Sequence, residues 1–235
     1  LLVAMEVRVN LLPRLLNEET DVAVVIDVLR ATSTMTAALH FGAKKIVPVL
    51  SVEEARKYRE DNFEVLTVGE RGSKKIDGFD LGNSPRELSE EMIEGKELVI
   101  TTTNGTVAVS KSKRARKVIL ASFLNLGSVV RLLKRESGRI ELQCAGTDGD
   151  PSLEDTLLAG ALVSQLEIGH INDSCRISSV LYEAVKDNLE SFILENGVHA
   201  KRLVSLGFFE DVGFCAKINL YDLVPLWRDG GFVRG

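Results

Sequence analysis

Six short runs rich in β-branched and other apolar residues recur through the first 144 positions, and most are continuous rather than alternating. They fall at 22–29, 45–50, 65–69, 98–102, 117–121 and 140–144. An unbroken apolar run of this length suits a strand covered on both faces, as in a mainly parallel sheet with helices on either side. Helical patterns separate the runs, at 32–41, 52–60, 85–94, 105–112 and 126–136. Ser84, Pro85 and Glu87 spell a capping box with proline at the first helical position. The repeated strand–helix units predict a layered α/β fold, mainly parallel in its sheet and flanked by helices. After Cys144 the texture changes. Helices are expected at 152–167 (Ser152 and Asp155 again reading as a cap), 178–187, 189–195 and 199–206, then short strands over 214–233 with a Gly230-Gly231 turn. We therefore expect an α/β portion over 1–146, carrying most of the anion-binding strand ends, and a smaller, helix-rich C-terminal α/β lobe over 147–235 that completes the site.

Composition removes several classes of function. With 45% hydrophobic residues in 235 the chain can bury a large core, yet no run of about 18 apolar residues could span a membrane. Residues 1–9 are too few and too charged for a secretion signal. The net charge is −5, and the one basic run, within 111–117, reads as a solvated helix end, so nucleic acid is not an expected partner. Cys144, Cys175 and Cys215 are far apart and form no C-x-x-C, which signals neither zinc nor disulfides and suits a reducing cytoplasm. Assembly into a homo-oligomer is left open.

Four of the expected strands run directly into polar clusters at their C-terminal ends. These are Asp27 to Thr34, Gly69-Glu70-Arg71-Gly72, Thr101 to Thr106, and Cys144 to Gly149 followed by Glu154 and Asp155. Open parallel sheets bind ligands outside the carboxyl ends of their strands, so the four clusters are expected in one crevice. Thr32 and Ser33 open a helix whose N–H groups and hydroxyls would face an anion, with Arg30 adding a fork of donors. Thr102, Thr103, Asn104, Gly105 and Thr106 repeat the pattern as a tight turn before a second helix. Asn83, Ser84 and Arg86, in the glycine-punctuated loop 78–86, would lie over the same anion, as would Arg71.

Asp27 follows four apolar residues, and a carboxylate there is costly unless it is paired or metal-bound. Asp27, Glu70, Glu154 and Asp155 are hard oxygen donors without histidine or cysteine beside them, which favours magnesium over zinc. Asp27, Glu154 and Asp155 are the candidate catalytic groups. A salt bridge from Asp27 to Arg30 or Arg71 is the structural alternative. His40, His170 and His199 show no metal spacing and read as structural or surface groups. Cys144 is the one cysteine at a strand end, but no base is evident for a nucleophilic thiol.

The strings VVIDVLRATSTM (24–35), GERG (69–72), GFDLGNSPRE (78–87), TTTNGT (101–106) and CAG-x-x-G-x-x-S-x-E-D (144–155) resemble the 2-phosphosulfolactate phosphatase family, from about residue 22 to the C-terminus. The resemblance implies magnesium-dependent hydrolysis of 2-phospho-3-sulfolactate to 3-sulfolactate and phosphate, a step of coenzyme M biosynthesis. It does not say which carboxylates hold metal; those assignments rest on strand order. One departure is Asn219, where the family pattern leads us to expect an acid. Two routes are open: attack by a metal-activated water, or an aspartyl-phosphate on Asp27. The second lacks the signature of haloacid-dehalogenase-type phosphatases, since Leu29 stands where their second aspartate would be. Alternative readings are a phosphatase for another small 2-phospho-acid, a thiol hydrolase built on Cys144, and a sensor of small anions.

Overall fold

A computed structural model of the chain describes residues 5–235; residues 1–4, which open the segment judged unsuited to a secretion signal, lie outside the described residues. In chain order the first half runs β1 (Glu6–Asn10), β2 (Val22–Ile26), α1 (Ala31–His40), β3 (Lys45–Pro48), α2 (Val52–Asp61), β4 (Leu66–Arg71) and β5 (Lys74–Lys75). It continues with α3 (Glu90–Ile93), β6 (Glu97–Thr101), α4 (Gly105–Ser112), β7 (Lys117–Ala121), α5 (Leu126–Leu133) and β8 (Arg139–Cys144). Then come α6 (Leu153–Val163), β9 (His170–Ile171), α7 (Asp173–Val185), α8 (Leu189–Asn196), α9 (Val198–Ser205), α10 (Phe209–Cys215), β10 (Pro225–Arg228) and β11 (Gly231–Arg234).

All eleven strands join one mixed, mostly parallel sheet, in the order β5-β4-β6-β3-β11-β10-β7-β2-β8-β1-β9. Strand β2 explains the unbroken apolar runs. Its side chains alternate between two cores, Val22, Val24 and Ile26 on one face, Ala23 and Val25 on the other. Each valine or isoleucine so enclosed contributes roughly 1.5–3 kcal/mol.

The sheet departs from a simple parallel array in one respect that matters for the site. The terminal hairpin β10–β11 is inserted in its middle, antiparallel to β7 on one side and to β3 on the other. Three antiparallel pairings in succession make the β4-β6-β3 group run opposite to the β7-β2-β8-β1-β9 group along the ladder. In a flat sheet β6 and β2, five strands apart, would lie about 24 Å from each other with their ends on opposite edges. Instead the start of α4, just after β6, touches the end of β2: a Cβ on Gly105 would sit 2.6 Å from Asp27 Oδ2. The sheet is therefore strongly coiled, as accumulated strand twist allows. The hairpin joins its flanking strands by only one residue pair each, Leu226 with Ile119 and Phe232 with Ile46, which permits the bend.

Several elements differ from the sequence expectation. The helix expected at 85–94 is a 3₁₀ turn, Pro85–Glu87, an extended Leu88 and then α3. Ser84 Oγ accepts from Arg86 N–H, while Glu87 reaches past it to Gly82 N–H, so the capping residues close a loop and start no long helix. Asn172 caps α7 by accepting from Cys175 N–H at 3.1 Å, which starts that helix at Asp173. Strands β1 and β9 pair with each other and β1 with β8; neither was expected. Among the described residues no helix is long and apolar enough to cross a membrane.

Candidate active site

A cavity of about 130 Å³ opens where β2, β4, β6 and β8 end. Asp27, Leu29, Arg30, Glu70, Ser73 and Asn83 border it, as do Thr102 to Asn104, Thr147, Asp148, His199 and Arg202. The four polar clusters thus meet, although the sheet brings them together by coiling and not by a shared parallel edge.

The turn from β2 into α1 locks itself. Asp27 C=O accepts from Thr32 N–H at 2.9 Å and from Thr32 Oγ1 at 2.8 Å, and Thr32 Oγ1 in turn accepts from Asp27 N–H at 3.1 Å. Ser33 Oγ donates to Val28 C=O at 2.8 Å. The hydroxyls of Thr32 and Ser33, expected to face an anion, are engaged inside the turn and do not border the cavity. What the turn presents is the Asp27 carboxylate, whose Oδ1 accepts from Ala31 N–H at 3.1 Å.

Arg30 does not pair with Asp27. It donates to Asp211 Oδ2 at 2.6 Å and to Ser73 C=O at 2.7 Å, and its guanidinium lies 4.2 Å from the centre of the Phe208 ring. Asp211 also accepts from Ser84 Oγ at 2.7 Å. An arginine this enclosed is a fixed cation with one edge toward the cavity. Glu70 is likewise anchored, Oε1 accepting from Thr103 N–H at 2.7 Å and Oε2 from Ser73 N–H at 2.8 Å. Thr102 and Thr106 cap α4: Thr102 Oγ1 accepts from Thr106 N–H at 3.2 Å and Thr106 Oγ1 donates to Thr102 C=O at 2.9 Å. Gly105 lets the α4 N-terminus close on Asp27, because any side chain there would meet Oδ2. Asn83 Oδ1 is buried with no hydrogen-bond partner among the described residues. Of the other expected anion binders, Ser84, Gly105 and Thr106 lie behind the cavity lining and two arginines lie elsewhere. Arg71 donates to Glu70 C=O at 2.7 Å and Thr101 Oγ1 at 3.0 Å, and Arg86 pairs with Glu210; neither borders the cavity.

Behind Asp27 the first turn of α6 brings two more carboxylates into the interior. Asp155 braces two loops, Oδ1 accepting from Val28 N–H at 2.8 Å and Oδ2 from Gly146 N–H at 3.1 Å. Glu154 Oε2 is buried without a partner among the described residues. Burial, reinforced by their mutual repulsion, lifts all three acids. Asp27 rises well above the usual carboxylate range, from burial first and then from the Asp155 charge. Glu154 is pushed up to about 7 by burial and by Asp27. Asp155 is pushed up to about 7 by burial and by Glu154. No three carboxylate, histidine or cysteine side chains among the described residues converge as a closed metal cage. Glu70 and Asp155 have both oxygens engaged, which leaves the Asp27 carboxylate and Glu154 Oε2. Hard oxygens of this kind match magnesium, which binds beside one or two carboxylates and a substrate phosphate; Asp27 borders the cavity, whereas Glu154 and Asp155 lie behind it. The donor set does not fit tetrahedral zinc.

Some residues that support or border the cavity were given no role in the site by the sequence reading. Asp211, the partner of Arg30, is 181 positions away in the chain and sits in α10, a helix not expected there. His199, read as structural or surface, borders the cavity from α9, and its Nδ1 has no partner among the described residues. Arg202, one turn on, forms a 2.8 Å ion pair with Asp148. Cys144 is fully buried in the core, burial holds its thiol well above its ordinary value, and it does not border the cavity. Asn219, the departure from the family pattern, accepts from Gly127 N–H at 2.6 Å at the start of α5 and is likewise no part of the cavity.

With this geometry in place, comparison with known proteins is decisive. The model of the 2-phosphosulpholactate phosphatase family matches residues 10–230. The chain belongs to that family. A probable 2-phosphosulfolactate phosphatase of Thermotoga petrophila is 48% identical over 215 residues, covering 92% of each chain. Similarly named proteins of Thermotoga maritima and Caldanaerobacter subterraneus subsp. tengcongensis are 46% and 42% identical, covering 92% and 88% of each chain. Membership in the 2-phosphosulpholactate phosphatase family places the chain among the phosphoric monoester hydrolases.

Proposed function

We propose that the chain hydrolyses 2-phospho-3-sulfolactate to 3-sulfolactate and phosphate, with magnesium bound by Asp27 and Glu154, as a cytoplasmic step of coenzyme M biosynthesis. One observation carries the metal reading: three interior carboxylates crowd together, one with an unpartnered oxygen, while the nearby Arg30 is already neutralised by Asp211. Such a cluster favours a cation in place of protons. Bound there, the ion would neutralise phosphate charge and lower the pKa of a bound water. The chain's own groups do the rest. Arg30, held by Asp211, Ser73 and Phe208, faces the phosphate as a fixed donor. Asn83 and the turn 102–104 border the same space and orient the ester. A carboxylate beside the ion takes the proton from the attacking water. Phosphate release should be followed from 2-phospho-3-sulfolactate and 2-phospholactate, with magnesium titrated and with EDTA. Turnover that survives EDTA rejects the metal reading, and a phosphoenzyme trapped by rapid quench rejects water attack in favour of Asp27 as nucleophile. The thiol reading finds no support, because Cys144 is sealed in the core.

A further inference from the structure

We propose that Arg202 is the specificity-determining residue of this site, binding the sulfonate of the substrate, and that Asp148 holds it in reserve while the cavity is empty of substrate. The proposal rests on the substrate class given above and deepens it.

The argument begins with a count of cations. A phosphate, a carboxylate and a sulfonate on three carbons carry more negative charge than the proposed magnesium and one arginine supply. Of the arginines expected to serve, Arg71 and Arg86 are engaged outside the cavity. Arg30 is there, but its side chain is only 2% exposed and tied to Asp211 and Ser73. Arg202 is the other arginine that borders the cavity. It differs from Arg30 in being movable. Its side chain is 42% exposed, and its partner Asp148 is 59% exposed. An ion pair so open to solvent holds its partners by about 0–1 kcal/mol, so a better anion can displace Asp148.

Position assigns the group that Arg202 reads. The guanidinium spans the mouth from α9, with Asp148 of the β8–α6 loop on one side. On the other is Gly72, where a Cβ would stand 3.7 Å from an Arg202 terminal nitrogen. The interior carboxylates and Arg30 mark the phosphate end. On the substrate, the sulfonate is borne one carbon farther from the phosphate-bearing carbon than the carboxylate oxygens are. The longer arm therefore meets the outermost cation. A guanidinium fork suits a sulfonate face, which offers oxygens in pairs.

The test compares kcat/KM on 2-phospho-3-sulfolactate and 2-phospholactate, which lacks the sulfonate. Arg202→Met should lower the ratio of the two by about 10–100-fold, the range for a hydrogen bond to a charged group. Arg202→Lys should restore part of it, and Asp148→Asn should keep the ratio or raise it by lowering KM for the sulfonated substrate. A ratio unchanged in Arg202→Met overturns the proposal, as does an Asp148→Asn variant that loses selectivity to the same degree. A binding arm separates this inference from the proposed function. If the wild-type protein turns over neither ester, the phosphatase reading fails. Calorimetry with 3-sulfolactate and lactate then still decides: sulfolactate bound at least tenfold more weakly by Arg202→Met sustains the inference, and equal binding, or none, ends it.

Discussion

Glu154 places a carboxylate oxygen in the interior with no donor to meet it, and the consequence is measurable as a dependence of stability on pH. Its folded-state pKa, about 7, lies above the ordinary 4.5. Between those values the folded protein keeps a proton that the unfolded chain has released. Stability from this group is therefore full below about pH 4.5 and is lost as pH rises toward 7. Asp155 and Asp27 shift in the same direction and add to the decline. Metal-free protein should thus lose stability on going from pH 5 to 8 in denaturant titrations. Glu154→Gln should remove a share on the order of 3 kcal/mol from that loss. If magnesium occupies this cluster, it should raise the Tm more at pH 8 than at pH 5. Asp27→Asn weakens a proposed magnesium ligand and should cost at least about 100-fold in kcat, no less than the loss of an outer partner of a metal site. Asp27 was legible because an acid interrupts an apolar run. The pairing of Asp211 with Arg30 and the place of His199 were not, since each depends on a partner or cavity far away in sequence.

Elements were legible where the apolar period was strong and illegible where a side chain made a choice between partners. Strands β2, β7 and β8 stand out as runs, and their centres are fully buried. The segment after Ser84 looks like a helix start, yet Glu87 bonds back to Gly82 and the helix never forms. Nothing in the local pattern ranks Gly82 above Ser84 as its acceptor's target. Close contact between helices is also hidden from pattern. Helices α6 and α7 cross at Gly160, where a Cβ would collide with the Ser178 carbonyl oxygen and crowd Tyr182. Gly160→Ala should force the pair apart and destabilise the protein by about 1–3 kcal/mol in chemical denaturation. Gly105→Ala should press on the Ala31 Cβ at 2.5 Å and also on Asp27 Oδ2 at 2.6 Å, so it should disturb the site as well as the packing. Its expected signature is a lowered kcat together with a lowered Tm, whereas Gly160→Ala should lower the Tm and leave kcat of the folded protein near wild type.

At the scale of the molecule, layered α/β architecture was readable, but the path of the sheet was not. Short terminal strands with a Gly230-Gly231 turn were expected, and β10 and β11 are those strands, but their place between β7 and β3, held by a single residue pair on each side, leaves no trace in the sequence. They nevertheless bridge the two parallel groups, and both expected portions of the chain contribute to the one sheet. Removing residues 225–235 should expose β7 and β3 as open edges. The truncated protein is expected to aggregate or elute as large species in size-exclusion chromatography, whereas a chain retaining the hairpin should not.

The bridge is also the last of the described strands in chain order. A ribosome that has delivered everything through α10 has made two groups of strands and both walls of the cavity, but not the piece that joins them. Until residues 225–234 have emerged the nascent chain carries two unpaired strand edges, so its dependence on chaperones should fall once the hairpin has paired with β7 and β3.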